Sequence, residues 1–281
     1  MRLASFVTDE RQAVGVVADD IIIELEGVNS LKALLSNTTC NLQANVAEKA
    51  REGRKHPLDA VELLPVIPDP DKIICIGLNY RAHQVESGFE APKYPPVFTR
   101  FANSQVGSRQ PLVVPKVSQD FDYEGELAVV IGRRGRHIPV TAAAGYIAGY
   151  SCYNDGSLRD YQWHTSQFGP GKNFVATGGF GPWLVTPDEL GDASGLDLYL
   201  DVNGVRMQES TTSHMIFPVA AIVRYLSRFM ALEPGDVILT GTPSGVGHGQ
   251  RPAQYLREGD VVELGVSGLG RQRQLCRGAG R

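Results

Sequence analysis

The chain has 281 residues, 42% hydrophobic and 21% charged, with a formal net charge of −4. That length can bury a large core, and a slightly acidic balance without a basic run argues against a nucleic-acid surface. No apolar stretch approaches the ~18 residues of a membrane span, and residues 1–10 form no apolar signal segment, so a cytoplasmic protein with no membrane partner is the expectation. Cys40, Cys75, Cys152 and Cys276 are scattered without a C-x-x-C pair, which reads as small core residues rather than a zinc site or a disulfide framework. The 31 glycines and 17 prolines suit a turn-rich β architecture.

Residues 1–65 read as a small lead-in module. Short strands over 2–7 and 13–17 flank an Asp9-Glu10-Arg11 turn, a strand follows over 21–25, and helical segments lie over 30–35 and 41–52. The run Leu63-Leu64-Pro65-Val66-Ile67-Pro68-Asp69-Pro70 is a proline-punctuated connector, dividing the chain into residues 1–68 and 69–281. A buried strand over 72–76 then turns into the polar segment Arg81-Ala82-His83-Gln84-Val85-Glu86-Ser87-Gly88. If that segment is helical, His83 and Glu86 share a face, where a carboxylate can orient an imidazole and raise its basicity. A surface His–Glu pair is the plainer alternative. With so little to bury, the segment is expected to be a lid.

Residues 95–99 enter a strand, and Asn103-Ser104 follow in a loop. Next comes Asp120-Phe121-Asp122-Tyr123-Glu124-Gly125-Glu126, running into the apolar, β-branched Leu127-Ala128-Val129-Val130-Ile131. Alternation along a strand puts Glu124 and Glu126 on one face, about 7 Å apart. Two such carboxylates repel and are costly to desolvate unless something positive lies between them, and a divalent cation answers that need. A solvated strand end with both side chains in water is the competing reading.

Arg133-Arg134-Gly135-Arg136 reads as a solvated basic turn, 142–147 as helix and 148–154 as strand. Asp155 stands at a strand-to-helix transition, where an N-cap role competes with metal binding. Gly169-Pro170-Gly171-Lys172 superficially looks like a phosphate loop, but Asn173 replaces the Ser or Thr and no long helix follows, so a nucleotide site is excluded. Strands follow over 178–186 and 196–202, with Asn203-Gly204 as a hairpin turn into 205–208. Residues 217–230 form the best helical pattern, with Val219, Ile222, Val223, Leu226 and Met230 on its apolar stripe. Strands over 237–240, over 261–264 and near Cys276 complete the chain.

Five ordered motifs spread over roughly residues 70–270 carry a resemblance. They are Gly77-Leu78-Asn79-Tyr80 with His83 and Glu86; Tyr123-Glu124-Gly125-Glu126-Leu127; Asn154-Asp155 with Arg159 and Asp160; Gly171-Lys172-Asn173-Phe174; and Leu239-Thr240-Gly241-Thr242-Pro243-Ser244-Gly245-Val246-Gly247. Together they resemble the fumarylacetoacetate hydrolase superfamily, its acylpyruvase and 2-hydroxyhepta-2,4-diene-1,7-dioate isomerase-like members included. The resemblance implies an α+β, mainly β fold, a mixed β-sandwich roll with a small N-terminal α/β module, usually a homodimer. It implies Mg²⁺ or Mn²⁺, with Ca²⁺ as a substitute in a crystal, on Glu124, Glu126 and Asp155, and an all-carboxylate set does suit a hard cation better than zinc.

The resemblance also implies a small oxo-acid substrate and hydrolysis of a C–C bond in an acylpyruvate or related 2,4-diketo acid. His83, oriented by Glu86, would activate water; Lys172 would stabilise negative charge on the substrate. Arg159 and Gln162 would line the pocket, and the hydroxyl or backbone near Thr242 would hold an oxyanion. A decarboxylase, dehydratase or double-bond isomerase on a small 2-oxo or 2-hydroxy-dienoic acid of aromatic or sugar-acid catabolism is the alternative. A non-catalytic metabolite binder is a third reading, against which His83, Glu86 and Lys172 argue. The chain departs from its relatives over residues 167–171 and 175–182, two stretches expected to border the pocket.

Overall fold

The computed structural model describes residues 1–37 and 41–280; Cys40 lies outside the described residues. Two sheets and a short ribbon form the body. The larger sheet has twelve strands, and its main path runs from Lys55–Pro57 through Ile21–Glu24, Arg11–Ala18, Arg2–Thr8, Gly178–Val185, Ile147–Asn154, Gly125–Ile131, Val237–Leu239 and Ile73–Ile76 to Val97–Arg100. Five strands make the second sheet, from Val205–Thr211 through Asp197–Val202, Val261–Val266 and Gly270–Gly278 to Leu112–Val114. This is the expected mainly-β, mixed roll.

The continuous apolar run at Gly125–Ile131 is explained by burial of both its faces. Leu127, Val129 and Ile131 join a core with Leu198, Leu200 and Leu264 of the second sheet and with Ile222 and Leu226 of the helix Val219–Ser227. Ala128 and Val130 point the other way, into a core with Leu3, Leu31, Leu184 and Leu239. Glu126 sits on this strand, and Glu124 one residue before it.

The residues expected to form a separate lead-in module contribute strands to the larger sheet: Arg2 and Leu3 pair antiparallel with Val185 and Leu184. The polypeptide after the proline-rich connector therefore shares a core with the polypeptide before it.

Asn41 caps the helix Leu42–Ala50, its side chain accepting from the Ala44 N–H at 3.0 Å. Asn203 and Gly204 take φ of 53° and 78°, the left-handed pair that a two-residue hairpin turn demands, and so join Asp197–Val202 to Val205–Thr211. The helix expected over 142–147 is instead a 3₁₀ segment, Val140–Tyr146, with only Ala143 buried, and Ile147 already opens the next strand. The segment's alanines have too little apolar surface to dock a longer α-helix.

Candidate active site

Two stretches converge on one cluster. Glu124 and Glu126 come from the entrance of the strand Gly125–Ile131, and Asp155 follows the adjacent antiparallel strand Ile147–Asn154. Their pairing sets Gly125 opposite Asn154, and the Asp155 N–H donates to the Glu124 carbonyl at 2.8 Å. One carboxylate oxygen from each of Glu124, Glu126 and Asp155 lies within 4.8 Å of the others, and all three side chains are buried. The solvated-strand-end reading is thereby overturned. So is the cap reading of Asp155: the next helix, Arg159–Gln162, has Leu158 at its N-cap with no side-chain bond.

Cations crowd the cluster. Lys172, only 1% exposed, donates to Glu124 Oε2 and to Asp155 Oδ2, each at 2.7 Å. Arg159 Nη1 lies 2.6 Å from Glu124 Oε1, and Arg100 Nη1 2.6 Å from Asp155 Oδ1. Burial alone pushes Glu124 up, but the Lys172 and Arg159 charges outweigh it and hold its carboxyl down at about 2. Glu126 differs. Burial, then the Asp155 and Glu124 charges, drive its carboxyl well above the ordinary range, and it accepts from the Gly241 N–H at 2.7 Å. A buried, under-compensated carboxylate beside two others, all offering oxygen, is a donor set that fits a hard divalent cation.

Glu124 and Glu126 of the cluster line a cavity of about 170 Å³, with Asp155 buried behind them. His83, Glu86, Arg159, Gln162, Lys172 and Thr242 all line it, so every cavity-lining residue expected from the sequence is brought to one place. His83 and Glu86 lie on the helix Arg81–Glu86, with His83 Nδ1 3.0 Å from Glu86 Oε2. A carboxylate can only accept, so in the neutral imidazole Nδ1 carries the proton and Nε2 the lone pair. Glu86 is itself held, Oε1 accepting from the Gly245 N–H at 2.8 Å.

The structure refines the expected site in three places. The Thr242 hydroxyl donates to the Gly125 carbonyl at 3.0 Å and accepts from Gln208 at 2.8 Å, so it buttresses the strand end, and only the backbone remains as an oxyanion donor there. Two of the three Lys172 protons are committed to carboxylates, so this lysine first neutralises the cluster. Of the two divergent stretches, Phe168 from the first lines the cavity, whereas residues 175–182 do not: they lead into the strand Gly178–Val185.

Sequence reasoning missed Arg100, Asp122 and an aromatic wall. Arg100, 2% exposed, ties Asp155 to the Gly156 carbonyl and to Thr177. The wall runs from Phe89 stacked on Trp163, through Phe168, to Phe98, whose ring lies 5.2 Å below the Lys172 ammonium. Single aromatics on separate segments, Phe98 on the strand Val97–Arg100 among them, form no pattern in the sequence. Gly171 was quoted only as part of a motif, yet a Cβ there would sit 2.6 Å from the Gln162 nitrogen and the Leu158 carbonyl. Its bareness lets Lys172 reach the cluster.

A two-sheet roll that gathers buried carboxylates, a His–Glu pair and cations at the floor of a small cavity has the layout of an enzyme acting on small acidic molecules. Residues 72–276 match the family described as "Fumarylacetoacetate (FAA) hydrolase C-terminal", and residues 1–65 match "Rv2993c-like, N-terminal". The chain belongs to the fumarylacetoacetate hydrolase family. It is 41% identical over 258 residues to a 2,4-didehydro-3-deoxy-L-rhamnonate hydrolase of Sphingomonas sp. (strain SKA58), covering 90% of each chain. A 2-hydroxyhepta-2,4-diene-1,7-dioate isomerase from Mycobacterium marinum superposes with a TM-score of 0.80 at 30% identity over the full length of both chains. Maleylpyruvate hydrolase from Sphingobium sp. SYK-6, in complex with manganese(II) and pyruvate, superposes with a TM-score of 0.84 at 25% identity, also over both full lengths.

Proposed function

We propose that this protein is a divalent-metal-dependent hydrolase that cleaves a C–C bond in an acylpyruvate or related 2,4-dioxo acid. The observation that carries the reading is the arrangement in one cavity: a His83–Glu86 pair shares its lining with Glu124 and Glu126, two members of the three-carboxylate cluster. A second observation says what the substrate brings. Arg159 Nη2 is buried without a hydrogen-bond partner among the described residues, while its other nitrogens are engaged, so it offers one charged donor to an anionic group entering the cavity. The two hydrolase relatives support this substrate class. Didehydro at C2 and C4 with deoxy at C3 is the connectivity of a 2,4-dioxo acid, and the manganese complex holds pyruvate.

A divalent cation held by Glu124, Glu126 and Asp155 would supply Lewis-acid stabilisation of the negative charge that develops on the 2-oxo acid half. The chain's own residues do the rest. Arg159 Nη2 takes the substrate carboxylate. His83 Nε2 takes a proton from water, whose oxygen adds to the C4 carbonyl; Glu86 holds the imidazolium that forms. Collapse breaks the C3–C4 bond, C4 leaves as a carboxylic acid, and C3 takes the proton held on His83, giving pyruvate and the neutral imidazole again. Lys172 keeps Glu124 and Asp155 compensated during charge development.

Incubation of purified protein with acetylpyruvate and Mn²⁺ or Mg²⁺ tests the reading: acetate and pyruvate are expected, with loss of turnover in EDTA. Release of carbon dioxide from oxaloacetate, with acetylpyruvate untouched, would replace it by the decarboxylase reading.

A further inference from the structure

Asp122 touches none of the groups assigned a chemical role except Arg159, and it is completely buried. Each of its oxygens accepts twice. Oδ1 takes the N–H of Tyr123 and of Gly247, both at 2.8 Å; Oδ2 takes Arg159 Nε at 2.8 Å and the His248 N–H at 2.9 Å. All four neighbours are donors, so only an ionised carboxylate satisfies them together. The ribbon that pairs Asp122 with Ser157 sets this carboxylate beside Arg159, two residues further on. On the opposite side the chain comes in unusually close: a Cβ on Gly247 would lie 2.6 Å from Asp122 Oδ1.

We infer that Asp122 is the positioning residue that aims Arg159 and clamps the 247–251 loop, so that the substrate carboxylate and the cavity mouth are held in register from a single buried anion. This rests on the reading of Arg159 as the group that takes the substrate carboxylate. The guanidinium fork is rigid, so a bond at Nε and another at Nη1 to Glu124 fix where Nη2 points. His248 and Arg251, carried on the clamped loop, line the same cavity, so loss of the clamp loosens both walls at once.

The test is pyruvate binding to the Mn²⁺-loaded full-length protein, with kcat and KM for acetylpyruvate measured alongside, in Asp122→Asn, Arg159→Ala and the double variant. In Asp122→Asn the amide must turn its NH₂ toward two donors whichever way it flips. Pyruvate affinity is expected to fall about tenfold or more and KM to rise more than kcat falls. Arg159→Ala should weaken pyruvate at least as much, and Asp122→Asn should cost little further in that background. The full Asp122→Asn factor persisting without the Arg159 guanidinium would overturn the inference, as would unchanged pyruvate affinity in Asp122→Asn. Unchanged affinity in Arg159→Ala would instead sink the functional reading beneath it. Should Asp122→Asn fail to fold, Arg159→Lys keeps the charge and loses the Nε bond: weakened pyruvate binding is expected, and wild-type affinity there overturns the clamp.

Discussion

Glu126 shows how a single side chain can report on the whole cluster. Its carboxyl is pushed well above the ordinary range because it is buried beside two other acids, without a cation at ion-pair distance among the described residues. A metal ligand must be ionised, so a proton and a divalent cation compete for it. The sign follows: Mn²⁺ affinity rises with pH until Glu126 ionises unaided, and binding below that point releases a proton. Calorimetric titrations at several pH values, in buffers of different ionisation enthalpy, read both quantities; a Kd independent of pH with no proton released would refute the competition. At His83 the expectation is of another kind. Replacement by alanine removes the base but no carboxylate, so acetylpyruvate cleavage should fall by about 10²–10⁴ while Mn²⁺ binding stays as it was. Equal loss of both would mean that His83 supports the cluster structurally. Residues of this kind were legible because Glu-Gly-Glu and His-x-x-Glu state a geometry by spacing alone. Arg100 was not, since an arginine at the end of Val97–Arg100 looks like any surface charge until Asp155 is brought beside it from 55 positions away.

Short elements place the chemistry and long ones support it. The four-residue helix Gly169–Lys172 packs against Arg159–Gln162 with no room for a side chain at Gly171, where a Cβ would press on backbone atoms at 2.6 Å. Gly171→Ala should therefore displace Lys172, lowering thermal stability by ~1–3 kcal/mol and impairing turnover together. Leu226→Ala in the helix Val219–Ser227 is the contrasting case: it opens a cavity in the core between the sheets, costing ~2–5 kcal/mol, and leaves Mn²⁺ affinity unchanged. A drop in stability for both variants with activity retained in Gly171→Ala would show that Lys172 tolerates the shift. The same contrast explains what the sequence revealed about elements. Val219–Ser227 repeats its apolar side chains at helical spacing and could be read directly. Phe121–Asp122, two residues long, exists only because Ser157–Leu158 lies opposite, and no local pattern announces such a ribbon.

For the molecule as a whole, the proline-rich connector near residue 65 is visible in sequence, but its structural meaning is not. Punctuation by proline marks where the first segment ends, and pairing of Arg2 and Leu3 with Val185 and Leu184 joins that segment to the larger sheet. Cross-strand partners that distant leave no mark in either segment alone. The consequence reaches the active site. Leu3, Leu25, Leu31, Leu34 and Val46 share a core with Ala128 and Val130, on the strand that carries Glu126. Residues 66–281 expressed alone would uncover the back of that strand and the edge at Leu184 and Val185, an invitation to edge pairing between copies. Each lost leucine is worth ~2–5 kcal/mol against a typical total of about 5–15 kcal/mol, so the fragment should aggregate or melt without cooperativity. Leu3→Ala in the full chain should cost only its single share and keep Mn²⁺ binding. A monodisperse 66–281 fragment that melts cooperatively and binds Mn²⁺ like the intact chain would show that the first 65 residues are an accessory, and that the carboxylate cluster is held in place without them.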